Sequence, residues 1–118
     1  MFYIKNDTGQ SFAFKVLENN DVENTKFSVE FDLGWVTGAV ISSCPEIKIN
    51  NLLKALNEMM QFHYKGQQVK FINDGSVDIE LSKNRTGSVI LKGSLMPDMI
   101  CDDQLEFSLE GIPYIDSK

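Results

Sequence analysis

Histidine occurs only once in this sequence, at position 63, and cysteine only twice, at positions 44 and 101. A catalytic arrangement of serine or cysteine with histidine would have to use that one histidine, which lies between two aromatic residues late in a helical pattern. A zinc site needs several cysteine or histidine ligands at short spacing, and the glycine-rich motifs that bind nucleotides do not occur here. The sequence therefore predicts no catalytic residue, no metal and no cofactor, and we expect a binding protein rather than an enzyme.

Long apolar runs are missing too. None approaches the ~18–20 residues that span a membrane, and the first ten residues lack the basic start and apolar stretch of a signal peptide. We therefore expect a cytoplasmic protein in which Cys44 and Cys101 stay reduced and unpaired.

Basic residues are outnumbered, 11 to 17, which gives a net charge of −6. Direct binding of nucleic acid requires clustered Lys and Arg, so this balance argues against it. The charge fits either a soluble, unevenly charged surface or an acidic surface that meets a basic partner. With 118 residues, no internal repeat and no linker-like stretch, the chain fits a single domain spanning 1–118.

Alternating apolar and polar residues predict strands on both sides of one helix. The clearest cases are SFAFKVL (11–17), KFSVEFD (26–32), SVDIELS (76–82) and QLEFSLE (104–110). Successive strand residues point to opposite faces, so each of these strands has one apolar and one polar face.

Apolar residues at three- and four-residue spacing predict the helix, which we place at about 50–65, with Asn50 as N-cap and Gly66 just beyond its end. The expected fold is α+β, an antiparallel β-sheet meander of six to seven strands curved around this one main helix. A small sandwich or barrel with the helix closing one end is the alternative.

Outward-facing carboxylates are the main candidate binding feature. They are expected on the later strands at Asp78, Glu80, Glu106 and Glu110, and on an earlier strand at Glu30 and Asp32. Like charges on neighbouring strands are mildly unfavourable, so a partner could explain them, although the carboxylates also fit a solvated sheet face that merely avoids edge aggregation. Trp35, at a corner after Gly34, could anchor a partner or fold back onto the core.

The order of these elements resembles that of the WapI-type immunity proteins. The stretches that carry the resemblance are the Gly34-Trp35 corner, the helical segment INNLLKALNEMMQFHYKG, and the strands GSVILKGSL and QLEFSLEG, within roughly residues 12–112. The resemblance implies a cytoplasmic antitoxin that binds a cognate protein toxin, often a nuclease, and blocks it in the producing cell. It implies no particular site residue. An acidic chain has the sign of charge that suits an inhibitor of a basic toxin.

A small-ligand binding module is the competing hypothesis. Its pocket would be apolar and would lie between the sheet and the helix, lined by Phe12, Phe14, Phe27 and Met60. Interior apolar pockets are the usual sites for such ligands. An enzyme of unfamiliar type is a third possibility.

Overall fold

The computed structural model describes residues 1–18, 23–61, 68–73, 77–84, 87–95 and 105–115. Its elements, in chain order, are β1 (Phe2–Lys5), β2 (Ser11–Glu18), β3 (Thr25–Asp32), β4 (Thr37–Cys44), α1 (Glu46–Gln61), β5 (Gln68–Asn73), β6 (Val77–Lys83), β7 (Val89–Leu95) and β8 (Leu105–Ile115). The predicted α+β class and antiparallel sheet are confirmed. The strands number eight rather than six to seven, since even the four-residue β1 has a neighbour on each side to hydrogen-bond with.

The eight strands form one sheet with the order β4-β3-β2-β1-β8-β7-β6-β5. It consists of two four-stranded meanders, β1–β4 and β5–β8, joined by the antiparallel pairing of β1 with β8. Helix α1 carries the chain from β4 at one edge to β5 at the other. This helix is too short and too polar to cross a membrane, and the described residues contain no other.

The sheet is folded over on itself. β2 and β5 are five strands apart, so a flat sheet would separate them by about 24 Å. The rings of Phe14 on β2 and Phe71 on β5 nevertheless lie 5.5 Å apart, edge to face. The two edges also meet, because Asn73 Nδ2 on β5 donates a hydrogen bond of 3.1 Å to the carbonyl oxygen of Ser43 on β4.

The apolar faces of the strands point into this folded sheet, and every strand contributes at least one buried side chain to a single cluster. Leu52, Leu56 and Met59 of α1 are buried in the same cluster, as their spacing predicted, whereas Leu53, predicted to be buried with them, is only partly buried. The helix packs mainly against β5 and β6. It therefore helps to cover the seam where the two sheet edges approach each other.

The predicted start of the helix was wrong. The helix begins at Glu46, directly after Pro45, and Asn50 lies inside it rather than at its cap. Pro45 ends β4 and suits a helix start, because its fixed φ is helical and a free amide is not needed there. Its carbonyl oxygen accepts the Lys48 N–H at 3.0 Å. Gly66, the predicted C-terminal signal, lies outside the described residues.

Candidate partner-binding face

The outer face of β5–β8 carries a shallow, open concavity of about 590 Å³. We call this surface the concave face. Its charged and hydroxyl-bearing side chains are Lys70, Asp78, Glu80, Lys92, Ser94, Glu106 and Ser108. All of them alternate with buried or half-buried residues along their strands, which is why they point outward.

The first row across the concave face alternates in charge. Glu80 on β6 lies directly opposite Lys70 on β5 and opposite Lys92 on β7. None of these three charged groups is within ion-pair distance of another charged group of the described residues. They are therefore close enough to balance one another's charge while each remains available to a ligand.

The second row is acidic. Asp78 on β6 lies opposite Ser94 on β7, and Ser94 lies opposite Glu106 on β8. Asp78 Oδ1 and Ser94 Oγ are both buried and neither has a hydrogen-bond partner. In the described part of the chain only one other buried side-chain oxygen, that of Ser28, lacks a partner. A buried, unsatisfied acceptor typically costs about 1–3 kcal/mol, so this row lowers the stability of the free protein.

The inner side of the sheet beneath the concave face is aromatic, because Gly93 and Phe107 alternate with the outward residues of β7 and β8 and so face the core. Gly93 on β7 lies opposite Phe107 on β8, and a Cβ atom added to Gly93 would lie only 2.6 Å from Phe107 Cζ. The ring therefore occupies the space that a side chain would need. Phe107 is held from below by Phe12, whose ring centroid is 5.9 Å away. The sequence pattern predicted the outward charged residues of this face, but not the close packing of Phe107 against Gly93 on the inner side beneath it.

Three of the predicted carboxylates, Asp78, Glu80 and Glu106, come together on the concave face. Glu110 lies further along β8, where it accepts a hydrogen bond from the side-chain amide of Asn84. The structure therefore divides the carboxylates predicted on the later strands into a group of three and one that is engaged elsewhere. Ser94 was not among the predicted residues, although its outward position two residues after Lys92 was a signal for it.

The predicted residues of the earlier strand lie apart from this group, because β2 and β1 separate β3 from β8. Glu30 forms an exposed ion pair of 2.9 Å with Lys15, and Asp32 accepts the Gly34 N–H at 3.0 Å. Trp35 follows Gly34 in the turn and is 73% exposed. Its indole therefore does not cap the core.

The residues of the alternative apolar pocket belong to the packed core. Phe12, Phe14 and Phe27 are fully buried, and the last two stack with their ring centroids 4.9 Å apart. Met60 packs partly buried against the same cluster. A separate cleft of about 400 Å³ lies between α1 and β5, and none of these four residues lines it.

Of the residues considered for metal binding and nucleophilic chemistry, the structure describes only Cys44. Within the described ranges, no group of three or more His, Cys, Asp or Glu side chains is placed to hold a metal ion. Cys44 is a buried free thiol, and its burial raises its pKa, an effect that the charge of Lys48 partly opposes. His63 and Cys101 lie outside the described residues.

Comparisons of the chain with protein-family models, curated proteins and solved structures gave no match. The functional proposal therefore depends on the concave face itself. Three of its properties matter, namely its shape, its acidic row and its two unpartnered buried oxygens.

Proposed function

We propose that this protein is an immunity protein, a cytoplasmic antitoxin that neutralises a basic protein toxin by binding it through the concave face. The observation that carries the proposal is the pair of buried oxygens, Asp78 Oδ1 and Ser94 Oγ, that face each other across β6 and β7 without a partner. A free protein that keeps two such acceptors in a concavity gives up stability for them. A partner whose donor reaches these oxygens would recover the lost stability on binding.

An arginine side chain of the toxin fits the chemistry of this site best. Its guanidinium presents five N–H donors in a planar fork, enough to reach Asp78 and Ser94 together. Glu106 supplies further negative charge at the end of the same row. Ile72, 58% exposed at the rim, offers apolar contact to the rest of the partner.

The overall charge supports a protein partner of opposite sign. A net charge of −6 accelerates encounter with a basic protein and disfavours acidic competitors. Nucleases are basic where they contact phosphate, and an inhibitor that presents carboxylates can occupy that surface. We therefore extend the proposal to a nuclease as the cognate toxin.

The test is a titration of the toxin encoded beside this protein's gene. Glu80→Lys combined with Glu106→Lys should keep the fold, because both side chains point outward, although the lysine opposite Lys70 and Lys92 lowers its stability. It should weaken toxin binding at least tenfold, which corresponds to about 1.4 kcal/mol. Added salt should weaken the wild-type complex as well.

The matched control is Glu30→Lys combined with Asp32→Lys, which changes the net charge equally on β3, away from the concave face. Equal weakening by both double variants would show that only overall charge matters. Unchanged affinity in the Glu80/Glu106 variant, without salt dependence, would show that the concave face is merely solvated.

The chemistry of the site can be tested without a toxin. Arginine amide should shift the backbone amide NMR signals of Gly93 and Ser94, whereas citrulline amide, which has the same shape without the charge, should not. Equal shifts from both compounds would contradict the assignment of the acidic row as a guanidinium site.

A further inference from the structure

The two edges of the sheet differ in how they are protected. At β5, the side-chain ammonium of Lys48 from α1 donates to the outward carbonyl oxygen of Ile72, and the strand itself carries Lys70. β4, with the sequence TGAVISSC, has no charged residue and no proline. An edge without such protection is a template for pairing with another strand.

Two hydrogen bonds establish which backbone groups of β4 point away from the sheet. The Leu33 N–H donates to the Val36 carbonyl at 2.9 Å, so Leu33 and Val36 form a hydrogen-bonded pair. Such pairs recur at every second residue of antiparallel strands, so the even-numbered residues of β4 bond to β3. On the opposite side, the Ser43 carbonyl accepts from Asn73 on β5. Odd-numbered residues of β4 therefore direct their N–H and C=O groups outward.

Thr37, Ala39 and Ile41 are the odd-numbered residues of β4 that remain. No hydrogen bond of the described structure uses their outward backbone groups. All three side chains are exposed, Ile41 to 67%. They form an open ladder that begins after the Gly34-Trp35 turn and ends where Ser43 is held by Asn73. We call these three residues the open edge.

We propose that two copies of this chain associate through the open edge, with β4 pairing antiparallel to β4 of the second copy around a twofold axis at Ala39. In this register Ala39 lies opposite Ala39, and Thr37 lies opposite Ile41 of the second copy. Residues in such positions exchange both of their hydrogen bonds. Every outward group of both open edges is then paired, and the bond between Ser43 and Asn73 is kept.

The register, the charge and the side chains of β4 all favour a second copy of this chain as the partner of the open edge. A shift of the axis to a neighbouring odd residue would leave outward groups unpaired or displace the bond between Ser43 and Asn73. The uncharged strand meets itself without like charges in direct contact, although each copy carries −6. The pairing also covers Ile41 with Thr37 of the second copy, a favourable cross-strand pair of β-branched residues. The concave face lies on strands at the other side of the sheet order and stays free.

The test uses charge at position 39, because each copy places that residue against itself. Ala39 is exposed, so Ala39→Lys and Ala39→Glu should both fold, which circular dichroism would verify. Sedimentation equilibrium should show a dimer for the wild type. Each variant alone should dimerise about fivefold more weakly, because identical charges then lie opposite each other. An equimolar mixture of the two should associate about tenfold more tightly than either alone.

Ile112→Lys is the matched control. Ile112 is 73% exposed but lies on β8 in the middle of the sheet, so this variant should dimerise like the wild type. A wild-type protein that stays monomeric up to millimolar concentration would overturn the proposal. Dimerisation that is unaffected by either charge at position 39, or that Ile112→Lys weakens equally, would overturn it too.

Discussion

Replacing Asp78 with threonine should stabilise the free protein while weakening its binding to a partner. Asp78 Oδ1 is buried without a hydrogen bond, a condition that costs about 1–3 kcal/mol. The side chain as a whole is only half-buried, so the lower end of that range applies. Threonine is also better suited to a strand, by up to about 1 kcal/mol, and its hydroxyl can bond with Ser94 across the strands. We expect the free energy of unfolding to rise by about 1–2 kcal/mol.

The assay is a urea or thermal melt of the free protein, with the same variant titrated against arginine amide or the toxin. For a chain of this length, a gain of that size raises the melting temperature by roughly 4–8 °C. Glu80→Thr is the matched control, on the same strand and the same face. It has the same gain in strand propensity but removes no unpartnered buried oxygen. It also takes a carboxylate from between Lys70 and Lys92.

Two results would refute this reasoning. If Asp78→Thr is no more stable than Glu80→Thr, the buried oxygen of Asp78 carries no cost in the free protein. If Asp78→Thr is stabilised but binds arginine amide as the wild type does, the buried oxygen of Asp78 destabilises the free protein but does not contribute to binding.

Three further predictions concern the core and its packing. Leu56 is fully buried, so Leu56→Ala should lower the free energy of unfolding by about 2–5 kcal/mol in urea melts. The control, Ile47→Ala on the exposed side of the same helix, should change it by less than about 0.5 kcal/mol. Gly111→Ala should lower the free energy of unfolding by about 1–3 kcal/mol or more in the same assay, because the added Cβ would collide with the backbone carbonyl oxygen of Lys5. An unchanged free energy of unfolding would mean that β1 and β8 can move apart to make room. Burial raises the pKa of the Cys44 thiol in the folded protein. As the pH rises past the ordinary pKa of a thiol, the unfolded chain loses this proton before the folded protein does, so the free energy of unfolding should fall. Urea melts from about pH 8 to about pH 10 should show this loss in the wild type and a smaller one in Cys44→Ala.

Local patterns determined much of the secondary structure in advance. The alternation in SVDIELS predicted that Val77, Ile79 and Leu81 would be buried while Asp78 and Glu80 faced outward, and the structure agrees. This works because side chains alternate faces in any strand, whatever its neighbours. The helix start was readable as well, since Pro45 followed by Glu46 is a stronger start signal than Asn50.

Only the tertiary structure decided which strands are neighbours and how far the sheet bends. Pairing of β1 with β8 joins the two ends of the described chain, and the contact of Phe14 with Phe71 folds the sheet over. Neither follows from a two-residue period, because pairing depends on which distant segments share a core. The same non-local packing gathered Asp78, Ser94 and Glu106 into one row and set Glu30 and Asp32 apart. The sequence by itself thus determined which side chains face outward, and the closure of the sheet determined which of them meet.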